Sequence, residues 1–144
     1  MITISIIGID QYMVGTYSKE HTKKLAGLYG VKPSEIDFHA PNSFFFHEGF
    51  DQTSWNALVR IHAPLECEGL EDKVTAYIFK TLKDIAVHIN IEYVYYNKRH
   101  RHSYVNLDYP RFISEQNAVV VEEPSEEEDI YDGNIFADLD DINK

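Results

Sequence analysis

The sequence predicts an α/β domain in which one βαβ unit is used twice, and three observations carry that expectation. Apolar and polar residues alternate at 2–6, 55–62 and 89–96, the period of half-buried strands. Val74, Tyr77, Ile78, Leu82 and Ile85 fall on one helical stripe, opposite Asp72, Lys73, Lys80, Lys83 and Asp84. The order strand, helix, strand, short strand then runs along the chain twice.

The elements follow in order. Ile2, Ile4 and Ile6 alternate with Thr3 and Ser5, and Gly8 and Asp10 close this first strand. Residues 11–18 fit either a helix start or a loop. Ser18 can cap a helix that runs through Leu28 and stops at Gly30, with Leu25 and Leu28 on its buried side. Pro33 and Ser34 open a new segment, and Ile36–Ala40 reads as a short strand. The aromatic run at 43–47, followed by Gly49, fits a short edge strand or a loop. Trp55, Ala57, Val59 and Ile61 alternate with Asn56, Arg60 and His62 in a strand that Pro64 ends. After the second helix, Ile89, Ile91, Tyr93 and Tyr95 share one face of a strand ending near Tyr96. The run NKRHR reads as a turn and His102–Leu107 as a short returning strand, and Pro110 marks the end of the compact body.

A βαβ unit carries its helix on one face of the sheet. Two such units side by side put both helices on the same face. The other face, expected to be rich in Ile, Trp, Val and Tyr, is then bare, and self-association is one way to cover it.

Composition bounds the function. At 144 residues, 44% hydrophobic and 13% aromatic, the chain is long enough for one globular core. Cys67 is the only cysteine, which excludes an intrachain disulfide and fits a reducing compartment. No run approaches the ~18 apolar residues of a membrane span, and the start lacks the features of a secretory signal. The expected location is the cytoplasm. The net charge of −11 is concentrated: residues 113–144 hold eleven acids and one base, Lys144, while residues 1–112 are almost balanced. A neutral body argues against nucleic acid as a partner. The chain is therefore read as a domain over 1–112 and an acidic tail over 113–144.

Three stretches, LAGLYGVKPSEIDFHA, FHEGFDQTSWNALVRIHA and INIEYVYYNKRHRHSYVN, occur in that order. Together they resemble the tautomerase superfamily, the fold of macrophage migration inhibitory factor, over most of residues 1–112. The Phe-x-Glu-Gly loop and the Tyr-rich end are similar to an uncharacterised bacterial branch of it. The resemblance implies a mixed four-stranded sheet with two helices on one face, short edge strands, and a homotrimer with the sheets lining its centre. No cofactor and no metal are expected.

It also implies a mechanism, and the sequence departs from that mechanism at its centre. In the superfamily an N-terminal proline sits in an apolar pocket, where desolvation favours the neutral amine. That amine moves a proton between carbon and oxygen of a keto–enol substrate. Here residue 2 is Ile2, whose bulk predicts retention of Met1. The amine is then primary, and geometry comes before pKa in general-base work. Met1 or Tyr95 would have to handle the proton. By resemblance, Lys32 falls in the turn that often carries a pocket lysine, and Tyr96 and Asn97, with Tyr95, fall where pocket residues lie. Arg60, on the polar side of its strand, suits a substrate carboxylate as a bidentate donor. Against this stand a solvated Lys32, an Arg60 paired with a neighbouring acid, and tyrosines that only pack.

Other signals are weaker. His100 and His102 have the spacing of two ligands on one side of an extended segment, but no third ligand is placed beside them and Arg99 and Arg101 repel a cation. Cys67 lies between Glu66 and Glu68, which raises a thiol's pKa rather than lowering it. In the tail, Ile135, Leu139 and Ile142 have helical spacing among the acids. Two readings of that tail remain: a solubilising extension, or an arm that docks on a neighbouring subunit or a partner.

The functional expectation is a tautomerase-fold protein without the proline base, either catalytically silent or a trimeric binding module. The other reading is a non-classical tautomerase acting on a small keto or enol carboxylic acid, with Lys32 and Arg60 holding the carboxylate.

Overall fold

A computed structural model describes residues 1–117. Met1–Tyr104 form one compact unit, and Val105 onward belong to a second. In the first unit β1 (Ile2–Ile7) leads into α1 (Gln11–Tyr29) and then β2 (Ile36–His39). A small hairpin, β3 (Phe46–His47) and β4 (Phe50–Asp51), precedes the second unit of the repeat: β5 (Asn56–Pro64), α2 (Glu71–Leu82) and β6 (His88–Tyr96). The main sheet has the order β2-β1-β5-β6. β1 runs parallel to β2, β5 parallel to β6, and the two pairs meet antiparallel between β1 and β5. Two βαβ units thus sit back to back in one mixed sheet.

The first helix starts earlier than Ser18. Asp10 caps it, its carboxylate accepting from the Tyr12 amide at 2.9 Å. Ser18 lies mid-helix instead, and its carbonyl accepts from the Thr22 hydroxyl at 2.6 Å. The stop is as expected: Gly30 is left-handed at φ 66° and donates its amide back to Gly27. The aromatic run becomes the β3–β4 hairpin, because Glu48 and Gly49 take the two positive φ values of a tight two-residue turn. Lys98–His100 form a single 3-10 turn, so His100 and His102 do not lie along one extended segment. Residues 101–106 carry no strand, in place of the expected returning one.

The strands of the main sheet bury the same phase. Ile2, Ile4 and Ile6 of β1 and Ala57, Val59, Ile61 and Ala63 of β5 meet Val14, Leu25, Val74, Ile78 and Leu82 of the helices. Polar zippers join the helices above them, with Tyr17 Oη to Thr81 Oγ1 at 2.6 Å and His21 Nδ1 to Tyr77 Oη at 2.7 Å. The open face is mixed rather than the apolar surface expected. It carries Thr3, Ser5, Arg60, His62, Asn90 and Glu92 beside Ile7, Leu58 and Val94, since the strand period sends these to the side opposite Ile2, Ile4 and Ile6. Gly8 makes the exit from β1 possible: at φ 90°, a Cβ there would stand 2.3 Å from the Asn56 carbonyl oxygen.

No helix among the described residues is long and apolar enough to cross a membrane. The helical spacing of Ile135, Leu139 and Ile142 lies outside the described residues.

Candidate functional site

The start of β1 opens onto a pocket of about 230 Å³. Met1, Ile2, Val31, Pro64 and Leu70 form its apolar wall. Tyr29, Glu35, Glu66, Cys67 and Lys98 supply its polar groups. The fold explains this meeting. β1 begins beside the last residue of β5, α1 ends at Tyr29, and the 3-10 stretch Leu65–Leu70 that leads into α2 closes the side.

Met1 is held from outside the pocket. Its carbonyl accepts from the Tyr96 hydroxyl in a short hydrogen bond and from the Arg101 guanidinium at 3.3 Å. Arg101 also reaches Thr3 Oγ1 at 3.4 Å and lies 5.4 Å from the Tyr96 ring centroid. Two residues thus fix the first peptide of the strand. Tyr96 clamps the Met1 backbone.

The remaining expected residues do not converge with Met1. Arg60 pairs with Glu92, its register partner across β5 and β6, on the open face. Tyr95 lies on the helix side, stacks on Tyr93 with centroids 6.1 Å apart, and donates to Glu71 Oε1 at 2.5 Å. Burial, and then the bond to a carboxylate, push its phenol well above the ordinary tyrosine range. Lys32 is exposed in the turn after α1, where its amide donates to Glu35 Oε2 at 2.8 Å. Asn97 caps the next turn, accepting from the Arg99 amide at 3.2 Å. Of the six residues singled out from sequence, only Met1 lines the pocket, with Tyr96 bound to its backbone.

Tyr29, Glu35 and Lys98 were not singled out from sequence. Tyr29 has a legible signal: it stands four residues after Leu25 and immediately before the Gly30 stop, so it faces inward. Its hydroxyl is buried, and burial pushes its phenol far up. Glu66 meets Lys98 at 4.0 Å across the rim. The Cys67 thiol is also pushed up, by burial first and Glu66 second, with Lys98 opposing. It is an inert thiol, as its acidic neighbours suggested. Among the described residues no three His, Cys, Asp or Glu side chains are placed to hold a metal ion.

No protein-family model matches the chain, and no curated protein matches it. Solved structures do. A domain of unknown function (DUF1904) from Sebaldella termitidis superposes with a TM-score of 0.65 at 14% identity, over 72% of this chain and 95% of that one. A macrophage migration inhibitory factor-like protein from Entamoeba histolytica gives 0.58 at 15% identity, over 71% and 94%. The macrophage migration inhibitory factor of Toxoplasma gondii gives 0.54 at 12% identity, over 70% and 95%. The chain has the tautomerase, or macrophage migration inhibitory factor, superfamily fold.

Proposed function

We propose that this protein is a tautomerase-fold binding module, assembled as a homotrimer, that holds a small ligand beside Met1 without turning it over. One observation carries the reading: a formed pocket lacks the proline amine that serves the superfamily as its base, and its tyrosine does not replace it. No proline stands at the start of β1. Tyr95 has committed its proton to Glu71, and the buried phenols of Tyr29 and Tyr95 are pushed away from neutral pH rather than toward it. The acidic tail, on this reading, serves a partner or a neighbouring subunit.

The test follows enol-to-keto conversion of phenylpyruvate by ultraviolet absorbance, beside sedimentation of the same sample. The expected result is a rate no faster than buffer and a mass three times the 16.7 kDa chain. Turnover above buffer would overturn catalytic silence, and a monomeric mass would overturn the trimer.

A second reading keeps a non-classical tautomerase for a small keto or enol carboxylic acid. Met1 and Lys98 favour it, because both border the same pocket. It loses the two carboxylate ligands expected from sequence, since Arg60 is taken by Glu92 and Lys32 does not line the pocket.

A further inference from the structure

Most buried phenols in this molecule have a partner. Tyr17 has Thr81, Tyr93 has Thr75, and Tyr95 has Glu71. Tyr29 does not: it lines the pocket, is 7% exposed, and its hydroxyl is buried with no hydrogen-bond partner. A buried hydroxyl left unpaired loses its water without compensation. The pocket's imbalance is thus one of hydrogen bonding, and it sits at the inner end of a space bounded by apolar side chains.

Charge does not ask for an anion. The pocket's lysine, Lys98, already faces Glu66, and Glu35 adds a second carboxylate, whose Oε2 takes the Lys32 amide. Arg101 is engaged with Met1 and Thr3. An entering carboxylate would meet two acids, a paired lysine and the Met1 α-amine, a set already in balance that leaves no surplus positive charge to hold it. We infer that the pocket takes an uncharged, single-ring-sized molecule bearing one carbonyl or hydroxyl oxygen, which hydrogen-bonds to the Tyr29 hydroxyl while its apolar body lies against Val31, Pro64 and Leu70. The size agrees, because a cavity of about 150 Å³ already holds benzene and this one measures about 230 Å³. Burial keeps the phenol protonated, so it remains a donor across the physiological range. The inference rests on the pocket being the protein's binding site, and it sets the ligand apart from the carboxylic acids of the second reading.

The experiment titrates full-length protein carrying isotope-labelled tyrosine and leucine with cyclohexanone and, separately, with cyclohexanecarboxylate, reading chemical shifts of Tyr29 and Leu70. Tyr29→Phe is run in parallel; it removes only an unpartnered hydroxyl and keeps the native fold, checked by its thermal midpoint. Cyclohexanone is expected to shift both residues saturably. The carboxylate is expected to bind at least tenfold more weakly, and Tyr29→Phe to weaken the ketone about five- to tenfold, the worth of one hydrogen bond. Equal or tighter binding of the carboxylate, or an unchanged affinity in Tyr29→Phe, overturns the inference. So does the absence of any shift, which would assign the phenol's partner to a water or a neighbouring subunit. The two proposals fail separately. A protein that turns over phenylpyruvate yet prefers the ketone loses only its catalytic silence. A silent protein that prefers the carboxylate loses only the ligand class.

Discussion

Tyr17 lies at the centre of the helix pair, 2% exposed, and its hydroxyl meets Thr81 Oγ1 at 2.6 Å. Burial raises its pKa from 10.0 to about 12, against the smaller opposing effect of the Thr81 hydrogen bond. The consequence for stability has a definite sign. Above pH 10 the unfolded chain releases the Tyr17 proton while the folded protein keeps it. The folded state then binds more protons, and stability falls as pH rises. The contribution is fully present below pH 10 and is lost up to about pH 12. By pH 11 about half of that two-unit window is spent, or about 1.4 kcal/mol. Tyr17→Phe removes both effects. At pH 8 it is expected to be less stable by about 1 kcal/mol, the hydrogen bond to Thr81. It then loses about 1.4 kcal/mol less than the parent between pH 8 and pH 11, so the two stability curves cross before pH 11. Urea unfolding followed by circular dichroism at pH 8, 9, 10 and 11 measures this. Tyr29, Tyr93 and Tyr95 shift in the same direction and steepen both curves alike. If parent and variant lose equal stability over that range, the account of Tyr17 is wrong.

Two further substitutions separate core from surface. Ile2→Pro is expected to cost about 2–5 kcal/mol, as for other large-to-small core changes, because Ile2 is 1% exposed and sits in the core cluster; a thermal midpoint within a few degrees of the parent would refute its core role. Arg60→Gln is expected to change stability by less than about 1 kcal/mol, with salt removing the difference, since its pair with Glu92 is solvent-accessible on both sides. A larger, salt-independent loss in urea unfolding would mean that the open face is buried in an assembly.

The fold was legible because its strands speak in one phase. Ile2, Ile4 and Ile6 point the same way as Val59 and Ile61, and the stripe Val74, Ile78 and Leu82 completes the core they need. The start of α1 was not legible. Its opening turns show Tyr12 and Met13 to solvent and contain Gly15, so no clear stripe marks them, and the Asp10 cap was read as a strand's end. The open face was read as more apolar than it is. The register across β1, β5 and β6 gathers the main apolar side of each strand onto the helices and leaves only Ile7, Leu58 and Val94 among the polar residues of the other face.

The site was less legible than the fold, because it is made of groups whose neighbours come from distant turns. Arg60 looked like a free carboxylate ligand until Glu92, thirty-two residues later, was placed opposite it in the parallel register. Tyr95 and Tyr96 are adjacent in sequence and perform opposite tasks, since the strand period sends one to Glu71 beneath α2 and the other to the Met1 carbonyl. Tyr29 and Lys98 were passed over because each was judged within its own segment, one a helix end and the other a basic turn. What joins them is β1, which begins between those two segments and brings Met1 to both. The same alternation that buries Ile2 leaves Met1 half-buried, and both residues border the pocket. A proline placed at residue 2 would change the core and the pocket wall together, whereas a change at Tyr29 alters the pocket and leaves the strand intact.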